Sequence, residues 1–303
     1  MSEDAAPCTT LDAVTTPAAF RAFRASRASR ASSAAAVMGV LLALATAPAG
    51  AAGRKEPPSK VEEQAVAGIH DALRASDCAL VASRLNDGLK RKYPSVYLLA
   101  GTLYEQGLCL KQDWDRAARL FEQANDAGEP QGRHRMIAGL AEGGRDRAAA
   151  MYWAVEDPSG LPEECRAGHE LRNEPEAYVA QLRRWPAGRL DACVYVVGVV
   201  NAISGEIEYP SVGTAYAVYG RYRMNFNPAT ATVEWEELEL RLGTMMGAAS
   251  GDDVRDRDSG RVQQTLRNAL QETSHRALKR FARPAGVPAE WRLQRDFAFN
   301  LHG

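Results

Sequence analysis

The chain has 303 residues, 46% of them hydrophobic and 25% charged, with a formal net charge of −1. That length holds two modest domains after a leader. The near-neutral balance argues against a nucleic-acid binder, which carries a basic domain or a Lys/Arg-rich face.

Residues 1–31 are rich in Ala, Ser, Thr and Arg and show no core-forming periodicity. Arg21, Arg24, Arg27 and Arg30 precede an uncharged, apolar run at 34–52 that ends in small residues. A basic start, an apolar middle and a small-residue end make residues 1–52 a secretory signal, with cleavage expected near Ala51 or Ala52. The alternative is an uncleaved anchor, since 34–52 is just long enough to span a bilayer. Either way the basic side stays cytoplasmic and the rest of the chain is exported. No Arg-Arg pair precedes the run, so a twin-arginine route is not expected.

Cys8 leaves with the leader, and Cys78, Cys109, Cys165 and Cys193 remain. An even count in an exported chain points to disulfides, and three connectivities are open. Nearest-neighbour pairing is the expectation: Cys78 with Cys109, and Cys165 with Cys193. No Cys-x-x-Cys occurs, so neither redox nor zinc-ribbon chemistry is indicated.

From residue 60 to 157 the pattern is helical. Val61, Ala65, Ile69 and Leu73 recur at steps of four, Ser76 and Asp77 interrupt, and Leu80, Val81, Leu85 and Leu89 mark a second helix before Pro94. In the stretch 97–128, Leu99, Leu103 and Gly107 share one face. Gly107 ends that helix, Asp113 caps the next, and Gly128 with Pro130 closes it. Ala100-Gly101 reappears 38 residues on as Ala138-Gly139, and Arg116-Ala117-Ala118 reappears 31 residues on as Arg147-Ala148-Ala149, with Tyr152 standing for Phe121. Such offsets are those of solenoid repeats, and a shortened last copy is expected to cap the array.

The run of Ala100-Gly101, Leu103-Tyr104, Gly107, Asp113, Arg116-Ala117, Phe121, Ala124 and Gly128 resembles the Sel-one-like repeat, a relative of the tetratricopeptide repeat. The resemblance implies protein–protein scaffolding. In it Gly101, Tyr104, Gly107, Ala117, Phe121, Ala124 and Gly128 are structural: the glycines turn the chain or admit a neighbouring helix, and the rings pack.

Prolines punctuate residues 158–190, which read as a structured connector holding Cys165 and a short helix near 177–185. The last region, 191–303, turns towards strand. The β-branched run 193–203 favours a buried strand, although its spacing also fits a helix. Pro210 opens a helix to Tyr219. Tyr222, Met224 and Phe226 alternate with polar residues, Asn227-Pro228 turns the chain, and 232–242 alternates again with an irregularity at Glu236-Glu237, so the pair reads as a hairpin with one wet face. Residues 245–260 read as a polar loop, 262–283 as an amphipathic helix, and Trp291 to Leu301 as a last strand, bulged between Leu293 and Phe297.

The expected fold class is therefore α+β: a short helical solenoid followed by a small α+β domain with an antiparallel sheet of two to four strands. The second domain resembles the TonB C-terminal domain, on Tyr209-Pro210, Gly220 before a strand, the helix running to Phe281 and Pro284, and the closing FAFNL. That resemblance implies contact with a protein partner by strand addition, with Tyr209, Pro210, Phe297 and Phe299 as contact candidates. The Pro-rich spacer of TonB is missing, and a repeat module stands in its place. The expected function is a non-enzymatic scaffold or adaptor of the bacterial periplasm; the alternative is an atypical TonB-family energy transducer, anchored in the inner membrane through 34–52.

Searching for chemistry returns little. His70, His134, His169, His275 and His302 form no zinc-hydrolase spacing. The acidic stretch 251–260 lacks EF-hand spacing, and Arg255 and Arg257 interrupt it. Lys279, Arg280 and Arg283 form a basic helix end that the helix dipole accounts for. No catalytic residue, cofactor or metal is therefore expected, and the partners are other proteins, with no nucleic acid and a membrane only through an uncleaved 34–52.

Overall fold

The computed structural model describes residues 59–158, 161–166, 168–207, 218–242 and 252–299. Helix α1 (Lys60–Arg74) starts at Ser59, whose hydroxyl accepts the Glu62 N–H at 3.2 Å. Asp77 caps α2 (Cys78–Lys90) in the same way, accepting from Leu80 N at 2.9 Å. Helix α3 (Pro94–Gln106) has no cap of its own; instead the buried Glu62 of α1 reaches across and accepts the Ser95 N–H at 2.9 Å. Asp113 caps α4 (Trp114–Asp126), and Asp146 caps α6 (Arg147–Ala154), which follows α5 (Pro130–Ala141). Each capping oxygen satisfies a donor that the first helical turn leaves unpaired.

Three helix pairs result, and small residues set their spacing. A Cβ at Gly101 would lie 2.5 Å from the Phe121 ring, so only glycine lets α4 approach α3 this closely. Phe121, Ala117 and Ala124 are fully buried. Tyr104 lies under the Arg116 guanidinium, 4.3 Å from ring centre to Cζ. Gly107 ends α3 at φ 71°, and Gly128 turns the chain at φ 91°. The buried face of α1 is rotated from the one expected: Glu62, Ile69 and Ala72 are inside and Val61 is exposed. The ring contact does not recur in the second copy either, because Gly139 faces Trp114 rather than Tyr152.

Helix α7 (Pro175–Leu182) crosses the connector, where Tyr178 meets Tyr152 edge-on at 5.6 Å. The expectation of a strand at 193–203 is corrected: α8 spans Ala187–Glu206, and every residue from Ala192 to Gly205 is buried. The helical spacing that stood as the alternative is the one realised; the valines favoured a strand because burial of every residue from Ala192 to Gly205 leaves no polar stripe to mark a helix. By length and hydropathy α8 would cross a membrane, but α5, α6, the last long helix and the sheet cover it. The expectation that the last repeat copy caps the array is also corrected. Met136–Ala141 and Ala149–Val155 are buried, since α8 packs over α5 and α6.

Cys78 bonds to Cys109 and Cys165 to Cys193. Each closes a loop of about 30 residues, worth roughly 3–4 kcal/mol in chain entropy. Two such bonds belong to a chain that matures in an oxidising environment.

Strands β1 (Val218–Asn227), β2 (Thr232–Leu242) and β3 (Leu293–Phe299) form an antiparallel sheet in the order β2-β1-β3, with α9 (Asp252–Arg280) between β2 and β3 in sequence. Met224 pairs with Trp235 on one side and with Arg295 on the other. Leu238 is the extra residue of a bulge between the Arg221–Glu239 and Tyr222–Glu237 pairs, beside the irregularity expected at Glu236-Glu237. The bulge expected in β3 is absent, and its register with β1 runs unbroken from Leu293 to Phe299. Tyr222, Met224 and Phe226 face α8 and α9 and are buried, while Arg223 and Arg221 pair with Asp296 on the outer face. The loop expected at 245–260 is corrected over its second part, which belongs to α9. Gly260 costs a helix about 1 kcal/mol but does not stop it. The helix expected from Pro210 lies mostly outside the described residues, and its last two positions, Val218 and Tyr219, belong to β1.

Candidate interaction groove

Three helices each turn one stripe towards a shared trough. From α1 come Val66, His70 and Leu73; from α3, Leu99, Thr102 and Leu103; from α9, Leu266, Ala269, Leu270 and Thr273. The spacing of three and four on each helix places these side chains on one face. Phe299 closes the trough from the sheet and Leu108, 50% exposed, stands at its rim. The volume is about 1260 Å³. Val66, Leu73, Leu99 and Ala269 are only half-buried, so the trough offers apolar surface to whatever enters it.

Charged side chains also line the trough: Glu63 and Arg74 from α1, Glu272 and Arg276 from α9, and Arg135 and Glu206, which it shares with a second cavity around Arg280. Arg280 of α9 reaches Glu105 of α3 at 2.6 Å, Glu142 at 2.9 Å and Glu206 of α8 at 3.2 Å. Its side chain is 16% exposed. Burial works against its charge, yet Glu105 and Glu142 outweigh that cost and hold its pKa above the ordinary value. Arg135 of α5 donates to the Gly205 carbonyl at 2.9 Å and stands 3.7 Å from Glu105. These groups line the second cavity, of about 480 Å³, together with Trp114, over which the Arg145 guanidinium stacks at 4.5 Å.

A second polar seam joins β3 to the helix pairs. Arg295 lies 3.3 Å from Asp157, which Arg133 approaches at 3.8 Å. Beside them His134 bonds to the Asn201 amide oxygen at 2.7 Å. Burial, with Arg295 and Arg133 nearby, pushes the His134 pKa down to about 4 despite the Asn201 bond. It is a neutral imidazole at pH 7.

The candidate residues fall into separate places. The four cysteines form the two nearest-neighbour bonds, and the seven repeat residues gather around the α3–α4 contact. Tyr209 and Pro210 lie outside the described residues. Phe299 is buried against Tyr222 at 5.9 Å, and Phe297 packs against Trp235 at 5.3 Å. Both rings therefore face the core, and what β3 leaves open to a partner is its backbone edge. Sequence reasoning missed Glu105, Glu142 and Glu206. It also grouped Arg280 with Lys279 and Arg283 as a helix end, whereas the structure separates them: Lys279 and Arg283 are exposed and Arg280 turns inward. The available signal was position, since Arg280 lies on the same helical face as Ala277 and Phe281.

Among the described residues no group of three or more His, Cys, Asp or Glu side chains stands together as a metal site. Comparison with protein-family models, curated proteins and solved structures returns no match to this chain.

Proposed function

We propose that this chain is a non-enzymatic scaffold or adaptor of the bacterial periplasm that holds an amphipathic helical segment of another protein. The trough between α1, α3 and α9 carries this reading. It has three helical walls, half-buried apolar side chains and a volume of about 1260 Å³, room for roughly three turns of a helix about 10 Å across. A fourth helix laid there buries its apolar face against three others. The resemblance of 97–128 to the Sel-one-like repeat supports a binding role, and the two disulfides support export.

A second mode of binding is supported by β3. Its inner edge is paired with β1 and, among the described residues, no strand pairs with its outer edge. It is regular and contains no proline, and such an edge accepts an extended peptide. The opposite edge, β2, is bulged at Leu238, which disfavours pairing there.

A photo-crosslinking residue placed at Leu99, with a control at the exposed Ala180 on α7, away from both the groove and β3, tests the groove in intact cells. The expected result is a discrete protein adduct from Leu99 alone, lost on Val66→Glu. Equal adducts at both positions, or none from Leu99, would overturn the reading.

A further inference from the structure

The two disulfides close loops of nearly equal length, with cysteines 31 and 28 residues apart, so chain entropy does not distinguish them. Their surroundings do. Cys165 and Cys193 are both fully buried, and Cys193 lies inside α8. A reductant reaches that bond only when the core around α8 opens. Cys78 is the exposed first residue of α2, and Cys109 is half-buried in the turn between α3 and α4. Cys109 holds φ at 57°, in the left-handed region that a non-glycine residue rarely adopts. Breaking its bond frees that backbone to leave the region. The rest of α2 stays docked, because Gly88 at its other end interlocks with Val96 of α3 and because Val81 and Leu85 are buried in the core below.

We propose that Cys78–Cys109 is a thiol-exchange site, a latch that a dithiol reductant opens while Cys165–Cys193 stays closed. A thiolate of the reductant attacks the Cys78 sulfur and breaks the S–S bond. The bonding pair leaves on the Cys109 sulfur, which takes a proton from water. The second thiolate of the reductant then attacks the reductant's first sulfur in the mixed disulfide, and Cys78 leaves as a thiolate that takes a proton from water. The reductant ends as a disulfide, and the protein gains two electrons and two protons. Opening frees the α1–α2 turn and the first residues of α2 from the α3–α4 turn. This inference does not depend on what the groove binds.

The test treats the intact oxidised protein with dithiothreitol under native conditions, quenches aliquots by alkylation and assigns the modified cysteines by peptide mass spectrometry. Cys78 and Cys109 are expected to be modified roughly ten-fold or more ahead of Cys165 and Cys193. Parallel modification of both pairs, or the reverse order, overturns the proposal. A Cys78→Ser/Cys109→Ser variant supplies the second measurement, by hydrogen exchange. Faster exchange confined to residues near 76–80 and 107–112, with α8 protected as before, supports a local latch; loss of protection in α8 overturns it.

Discussion

Two half-buried polar seams tie the helix pairs to the α+β part, and they are built in opposite ways. At the first, one cation, Arg280, serves three anions from three elements, Glu105, Glu142 and Glu206. At the second, Arg133 and Arg295 both approach the carboxylate of Asp157, Arg133 also lies 3.9 Å from Glu156, and a neutral histidine stands beside them. The first seam fails by losing its centre, because Glu105, Glu142 and Glu206 then keep only their separate, longer contacts to Arg135, Arg145 and Arg276. The second is sensitive to gaining a proton, because a charged His134 would add a third positive group. Withdrawing these charges from water costs free energy in both cases, so neither seam adds much stability over an apolar contact. What they specify is which surfaces meet.

Four measurements probe the two seams. Arg280→Met leaves the three glutamates with no shared cation, only the longer contacts to Arg135, Arg145 and Arg276, and the expected cost is about 3–5 kcal/mol in urea unfolding at pH 7. A cost under about 1 kcal/mol would mean that water already screens the cluster. Next comes the acid limb. His134 titrates near 4 when folded and near 6.5 when unfolded. The unfolded chain therefore binds more protons below pH 6.5, and stability is lost as the pH falls from about 6.5 to 4, by roughly 3 kcal/mol. His134→Gln keeps a polar partner for Asn201 and should flatten that limb; an unchanged pH profile would show that other groups set it. Arg295→Met is a smaller perturbation at pH 7, about 1–2 kcal/mol, since Arg133 remains beside Asp157. It should also raise the His134 pKa above about 4 in an NMR titration, because one repelling cation is gone. Arg74→Ala, which removes an exposed pair with Asp71 on α1, should change stability by no more than about 0.5 kcal/mol and sets the scale for a surface ion pair.

The sequence was legible where one side of an element meets water. Helices α3 and α4 announce themselves through Gly107, Asp113 and the stripe Ala117, Leu120, Phe121 and Ala124, because the opposite side of α4 is polar. The hairpin is legible for the same reason, with Tyr222, Met224 and Phe226 inside and Arg221, Arg223 and Asn225 outside. Helix α8 was legible only in part: its spacing allowed a helix, but burial on all sides leaves no polar stripe, and valine composition favours a strand. The apolar stripes of the groove were partly visible, in Leu99, Leu266 and Ala269, but nothing local says that α1, α3 and α9 turn these faces towards one another. The Arg280 cluster draws its four members from positions 105, 142, 206 and 280, and periodicity within single helices carries no information on such a meeting.

Helix α8 has one more consequence. Repeat arrays ordinarily vary in length by gaining or losing copies, because each copy meets only its neighbours and the terminal ones present a polar outer side. Here α8 lies on the last pair with its buried face against α5 and α6, and its other sides against α9 and the sheet. A further pair inserted after Ala154 would have to occupy the place of α8, and a chain ending there would leave the apolar surface of α5 bare. The number of pairs at this end is therefore fixed by the architecture.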